Sequence, residues 1–167
     1  MSGRILVDPE KRYLLGQPTT EKLKEYYYAS SETKKGLSLE SKAVRNRIVN
    51  NSLLFALASN PSPIYRKSFA QRIKTGNFDD DMQQIGLCDW IIEVVVERLD
   101  IKKLVFEQVD KYRKPGTLVT SNTSGIPIQF MSDGRSEDFQ QHFCGTHFFN
   151  PARYLKLFEI IPGPKTS

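Results

Sequence analysis

WIIEVVV (90–96) is almost continuously apolar and rich in β-branched side chains. Such a run predicts a strand buried on both faces, as in a parallel sheet. Downstream, Ile101, Leu104, Val105, Val109 and Tyr112 fall at helical spacing, and Pro115-Gly116 stops that helix. Thr117 to Thr120 reads as the next strand, Pro127 to Met131 as a short helix, and Phe143 to Phe149 and Leu157 to Ile161 as two further strands. Strands alternating with helices predict an α/β fold with a mostly parallel sheet covered on both faces. Ligands of such sheets bind beyond the carboxyl ends of the strands. Those ends carry Glu97, Ser121 to Ser124, and Asn150.

Upstream, Val49, Leu53, Ala56 and Leu57 form a helical stripe that NPSP (60–63) closes. A second short helix is expected over Ile64 to Ala70, a short exposed strand over Arg72 to Thr75, and an acid-led helix over Asp79 to Ile85. Residues 1–35 read differently. Ile5-Leu6-Val7 is a brief apolar run stopped by Asp8 and Pro9, Thr20 to Ala29 suits a helix, and Ser30 to Lys35 a loop. The expected division is therefore a divergent segment, 1–35, and one α/β domain, 36–167.

Composition narrows the function. The chain has 167 residues, 39% hydrophobic and 26% charged, enough for one domain with a real core. No run of 18 apolar residues occurs and the first residues lack the apolar region of a signal peptide, so no membrane contact is expected. Cys88 and Cys144 sit in apolar stretches read as separate strands, which suits buried, reduced thiols in a cytoplasmic protein. The formal charge of +5 favours anionic partners. Aromatic–basic interleaving and zinc-ligand spacing are both absent, so neither nucleic acid nor metal is expected.

His147 is the candidate for chemistry, one of two histidines in the chain. The plain reading is a core histidine with one hydrogen bond. Glu159 lies twelve residues on, in the next apolar run. If the two runs are neighbours, the carboxylate faces the imidazole, orients it and fixes its tautomer, making a general base. Ser124 and Asn150 add small hydrogen-bonding groups at neighbouring strand ends. Together these suit a site that takes a proton from a hydroxyl while holding its oxygen.

IIEVVVERLDIKK (91–103), SNTS (121–124), GTHFFNP (145–151) and KLFEI (156–160) jointly resemble the NAD-binding domain of the 3-hydroxyacyl-CoA dehydrogenase family. The resemblance runs from Asp89 to Gly163 with spacing kept throughout. It implies NAD as cofactor, an acyl-CoA substrate, and oxidation of a 3-hydroxyacyl-CoA to the 3-oxoacyl-CoA. His147 resembles the family's base, Glu159 its partner carboxylate, and Ser124 and Asn150 the groups that hold the substrate oxygen and nicotinamide end. Glu97 and Lys102 match positions that contact the cofactor or lie beside it, and Val94 its edge. Each has a plainer reading: Glu97 and Lys102 as a solvated ion pair at a helix start, Ser124 as a helix cap, Asn150 as a turn residue.

The chain departs from that family in having no G-x-G anywhere, so the pyrophosphate-binding turn is missing. The expected fold is a Rossmann-like, mostly parallel sheet truncated at its N-terminal βαβ unit. Asp8 is then expected to end the family's second strand and meet the adenine ribose. The chain is expected to be a fragment of a larger enzyme, homo-oligomeric or associated with the rest of that enzyme. The alternative is a non-catalytic remnant acting as a binding or assembly module.

Overall fold

β-Branched and aromatic runs at the chain's C-terminal half build a four-stranded sheet in the computed structural model, which describes Gly36, Ser38 and residues 41–167. Two compact units divide between Asp81 and Met82. Asp8 and the strand and helix expected within residues 1–35 lie outside the described residues.

In the later unit the strands are β1 (Trp90–Glu93), β2 (Leu118–Ser121), β3 (Phe143–Phe148) and β4 (Phe158–Pro162), in that spatial order. β1 and β2 run parallel with Glu93 beside Ser121, and β2 and β3 parallel with Ser121 beside Gly145. β4 runs antiparallel to β3 and sets Glu159 directly opposite His147. The sheet is thus mixed but mostly parallel, as expected.

β1 corrects the opening expectation. It stops at Glu93, and Trp90 is 43% exposed, because β1 is the last strand on its side among the described residues and Val94 to Val96 leave the ladder. Doubly covered burial belongs to β2, where Val119, Thr120 and Ser121 are all buried.

The crossover after β1 is helix Leu99–Tyr112, and Asp100 in its first turn suits the helix dipole. Its buried arc is Ile101, Lys102, Phe106 and Val109. Leu104, expected on that face, is exposed instead, since Phe106 lies nearer the centre of the arc and claims the space. Phe106 meets Phe139 and Phe143 edge-on at 5.6 and 5.0 Å between ring centroids. Those three rings, with Ile91, Val109, Val119, Ile128 and Met131, make the core. A short helix, Ile128–Ser132, stands close to the expected place. Helix Glu137–Gln141 was not foreseen; Ser136 caps it by accepting from the Phe139 amide at 3.1 Å.

In the earlier unit, helices Lys42–Arg45 and Arg47–Ala58 meet at Asn46. Asn77 donates to Asn46 Oδ1 at 2.6 Å and its own Oδ1 accepts from the amides of Asp79 and Asp80. Arg45 grips Asp80 with two hydrogen bonds of 2.9 and 2.8 Å, and the Asn77 and Arg45 contacts hold the Asp80 carboxyl below its ordinary range. The strand expected over Arg72 to Thr75 is absent. A 3-10 helix spans Lys67–Arg72, and residues 73–77 carry no regular structure because no described strand pairs with them. That 3-10 helix also replaces the one expected over Ile64 to Ala70, and the acid-led helix is Phe78–Asp81 followed by a 3-10 stretch, Met82–Leu87. Cys88 lies half-buried just before β1 rather than within a strand, whereas Cys144 is buried in β3, where burial pushes its thiol pKa up.

Candidate active site

β3 and β4 pair so that His147 and Glu159 are directly opposed. Side chains of opposed residues share one face with Cβ atoms about 5 Å apart. The result is an Nδ1···Oε2 contact of 2.9 Å, with His147 28% exposed and Glu159 48% exposed. An ionised carboxylate there would only accept, which would place the hydrogen on Nδ1 and leave Nε2 its lone pair. Phe149 packs edge-on against the imidazole at 4.6 Å. The next pair along, Phe148 and Phe158, points to the other face and packs at 4.6 Å. The histidine is therefore half-open, aromatic on one side and anionic behind.

The SNTSG segment (121–125) leaves β2 in an alternating pattern. Ser121 and Thr123 are buried, with their hydroxyl oxygens 2.9 Å apart. Asn122 points the other way, and its Oδ1 accepts from the Phe148 amide at 3.0 Å, which ties this loop to the His147 strand. Ser124 is exposed. It does not cap the following helix, whose N-cap Pro127 offers no side-chain bond. Glu97 reaches across from the β1 side and accepts from the Gly125 amide at 2.6 Å. A Cβ at Gly125 would stand 2.9 Å from that carboxylate oxygen, so a larger residue there would push the Glu97 side chain aside.

Glu97 and Lys102 do not pair with each other. Lys102 turns inward and donates to both carboxylate oxygens of Glu93 at 2.7 and 2.8 Å and to the Val95 carbonyl at 3.3 Å. Val94 is half-buried in the turn after β1, and Asn150 is exposed just beyond β3. The structure thus joins His147 to Glu159 and Glu97 to the Ser124 loop, while Lys102 lies behind the rim. Glu93, Ser121, Thr123 and Asn122 escaped the sequence reading of roles. The signal for Glu93 was present: one acid inside an apolar strand requires a buried partner.

The polar rim suits a cofactor bearing hydroxyls and an amide: Ser124 offers an exposed hydroxyl, and Glu97 an exposed carboxylate in the loop beyond β1. The family model for the NAD-binding domain of 3-hydroxyacyl-CoA dehydrogenase matches residues 37–167. The chain belongs to this family. The family's cofactor is NAD. A probable 3-hydroxyacyl-CoA dehydrogenase of Bacillus subtilis is 51% identical over 135 residues, 81% of this chain and 17% of that protein. A probable 3-hydroxyacyl-CoA dehydrogenase of Deinococcus radiodurans is 41% identical over 128 residues, 77% of this chain and 37% of that protein. The crystal structure of Escherichia coli 3-hydroxybutyryl-CoA dehydrogenase superposes with a TM-score of 0.60 at 27% identity, covering 76% of this chain and 27% of that one. The chain therefore spans well under half the length of these dehydrogenases. Further relatives are named as a fatty acid oxidation trifunctional enzyme and a peroxisomal bifunctional enzyme. Among the described residues no helix is long and apolar enough to cross a membrane, and no group of three or more His, Cys, Asp or Glu side chains is placed to hold a metal ion.

Proposed function

We propose that this chain carries the proton-accepting half of an NAD-dependent 3-hydroxyacyl-CoA oxidation, as part of a larger enzyme. The His147–Glu159 contact carries the reading. His147 Nε2 takes the proton from the 3-hydroxyl, and Glu159 holds Nδ1–H and balances the imidazolium as it forms. Ser124 and Asn150 donate to the oxygen that becomes the ketone. When bound, NAD supplies the acceptor for the hydride leaving carbon 3. Glu97 and the backbone beside Val94 would contact the cofactor's edge, and Lys102, turned inward to Glu93, would support that rim from within. Asp8 is assigned to the adenine ribose on the resemblance alone. Residues 36–167 then form the partial domain, a second copy or the rest of the enzyme completes the site, and the expected compartment is the cytoplasm.

NADH formation followed at 340 nm with NAD and 3-hydroxybutyryl-CoA tests this directly. Turnover that falls about 10³-fold in His147→Ala, with the far-ultraviolet spectrum unchanged, supports it. Full turnover in that variant removes the base. The absence of any G-x-G turn favours a second reading, a non-catalytic binding module. NADH that fails to saturate the chain at millimolar concentration would support that module instead.

A further inference from the structure

Glu93 stands at the carboxyl end of β1 and is buried to the same degree as its partner Lys102. Its carboxylate takes the Val95 amide at 2.5 Å, the Lys102 ammonium, and the Ser121 hydroxyl at 2.5 Å. Its backbone carbonyl takes the Asn122 amide at 2.9 Å. One side chain thus joins the turn after β1, the crossover helix and the end of β2. From Ser121 the contacts continue to Thr123, next to Ser124, and Asn122 reaches across to Phe148, next to His147.

A buried ion pair is a poor way to gain stability, since an apolar pair of equal volume often does as well. Its distinctive product is geometry. A carboxylate with fixed donors on both oxygens admits one arrangement of the groups around it. Resting on the dehydrogenase reading above, we propose that Glu93 is a positioning residue: acting through Ser121 and Thr123, it fixes the loop that carries Ser124 and that Asn122 ties to the His147 strand. It is buried and would act through its protein partners rather than on substrate or cofactor. Its effect is on where the oxygen-holding hydroxyl stands, and misplacement of such a group by about 1 Å lowers rate by one to two orders of magnitude.

Ser121→Ala removes the link while leaving the Glu93–Lys102 pair in place, so the fold survives. Ser121→Thr restores the hydroxyl. The readouts, on the full chain, are amide chemical shifts and the NADH-linked rate. Expected in Ser121→Ala are shifted amides at 122–125 and at Phe148, and a kcat about 10-fold lower with KM changed less than about twofold. Ser121→Thr is expected to recover both. Unmoved amides at 122–125, or a kcat equal to that of the unaltered chain, would overturn the proposal. So would a loss in Ser121→Ala that Ser121→Thr fails to recover while the amides return. An unaltered chain with no NADH-linked turnover would sink the dehydrogenase reading separately, and the amide comparison would still decide whether Ser121 sets the loop.

Discussion

Lys102→Met cuts the innermost ion pair and leaves the Glu93 carboxylate in place. The two side chains are 1% and 2% exposed, so water cannot take over the lost contacts. Glu93 would keep only the Val95 amide and the Ser121 hydroxyl. Breaking a buried pair from one side costs about 3–5 kcal/mol, against about 1 kcal/mol or less for an exposed pair. With a urea slope of about 2 kcal/mol/M, the unfolding midpoint should fall by about 2 M. Replacing both partners, Glu93→Gln with Lys102→Met, removes the orphaned charge, and most of the loss should return. Trp90 is the only tryptophan and lies on β1, three residues from Glu93, so its fluorescence reports the unfolding of this sheet. A Lys102→Met midpoint within about 0.5 M of the unaltered chain would refute the reasoning, because it would mean that the pair behaves as a solvated one.

Other consequences follow from the same packing. Gly145→Ala puts a Cβ 2.7 Å from Ile128 Cδ1 and 3.2 Å from Ile161 Cβ. It should cost about 1–3 kcal/mol in urea unfolding, and adding Ile128→Val, which removes that Cδ1, should recover part. Asp110 is subject to burial, which alone would raise its pKa, but the Ser136 amide and hydroxyl and the Arg113 guanidinium outweigh it and hold the carboxyl below its ordinary range. A depressed folded-state value gives stability that is complete above the unfolded-state value and is lost as pH falls through the folded one. Asp110→Asn should therefore cost about 1–2 kcal/mol at pH 7, with the difference from the unaltered chain closing below about pH 4 in acid-titrated unfolding.

Periodicity made the core of this fold readable. Long-range pairing was harder. The Phe143 and Leu157 runs are plain in the sequence but their pairing is not; the structure pairs them and brings His147 to Glu159. Their antiparallel direction was within reach: only residues 149–157 join them, too few for the crossover that parallel neighbours need. Arg72 to Thr75 alternates like a strand, but alternation says nothing about a partner, and an unpaired strand has no ladder to hold it. Leu104 was misplaced because a helical stripe admits two neighbouring faces until a packed ring such as Phe106 selects one. At the site, the resemblance pointed to Ser124 alone within SNTSG. The inward pair Ser121 and Thr123 needed Glu93 to give it meaning, and Glu93 was hidden inside the very run that identified the sheet. The plainer reading of Glu97 and Lys102 as an ion pair failed because the helix turn carries Lys102 under the sheet end, not out to solvent.

Long-range ¹H–¹⁵N correlation of the His147 ring measures most directly whether Glu159 prepares it as a base. With Nδ1 held 2.9 Å from the carboxylate, the neutral ring should show a protonated Nδ1 and a bare Nε2. Glu159→Ala, which removes the acceptor, should abolish that preference. A neutral ring protonated at Nε2, or a pattern unchanged by Glu159→Ala, would contradict it.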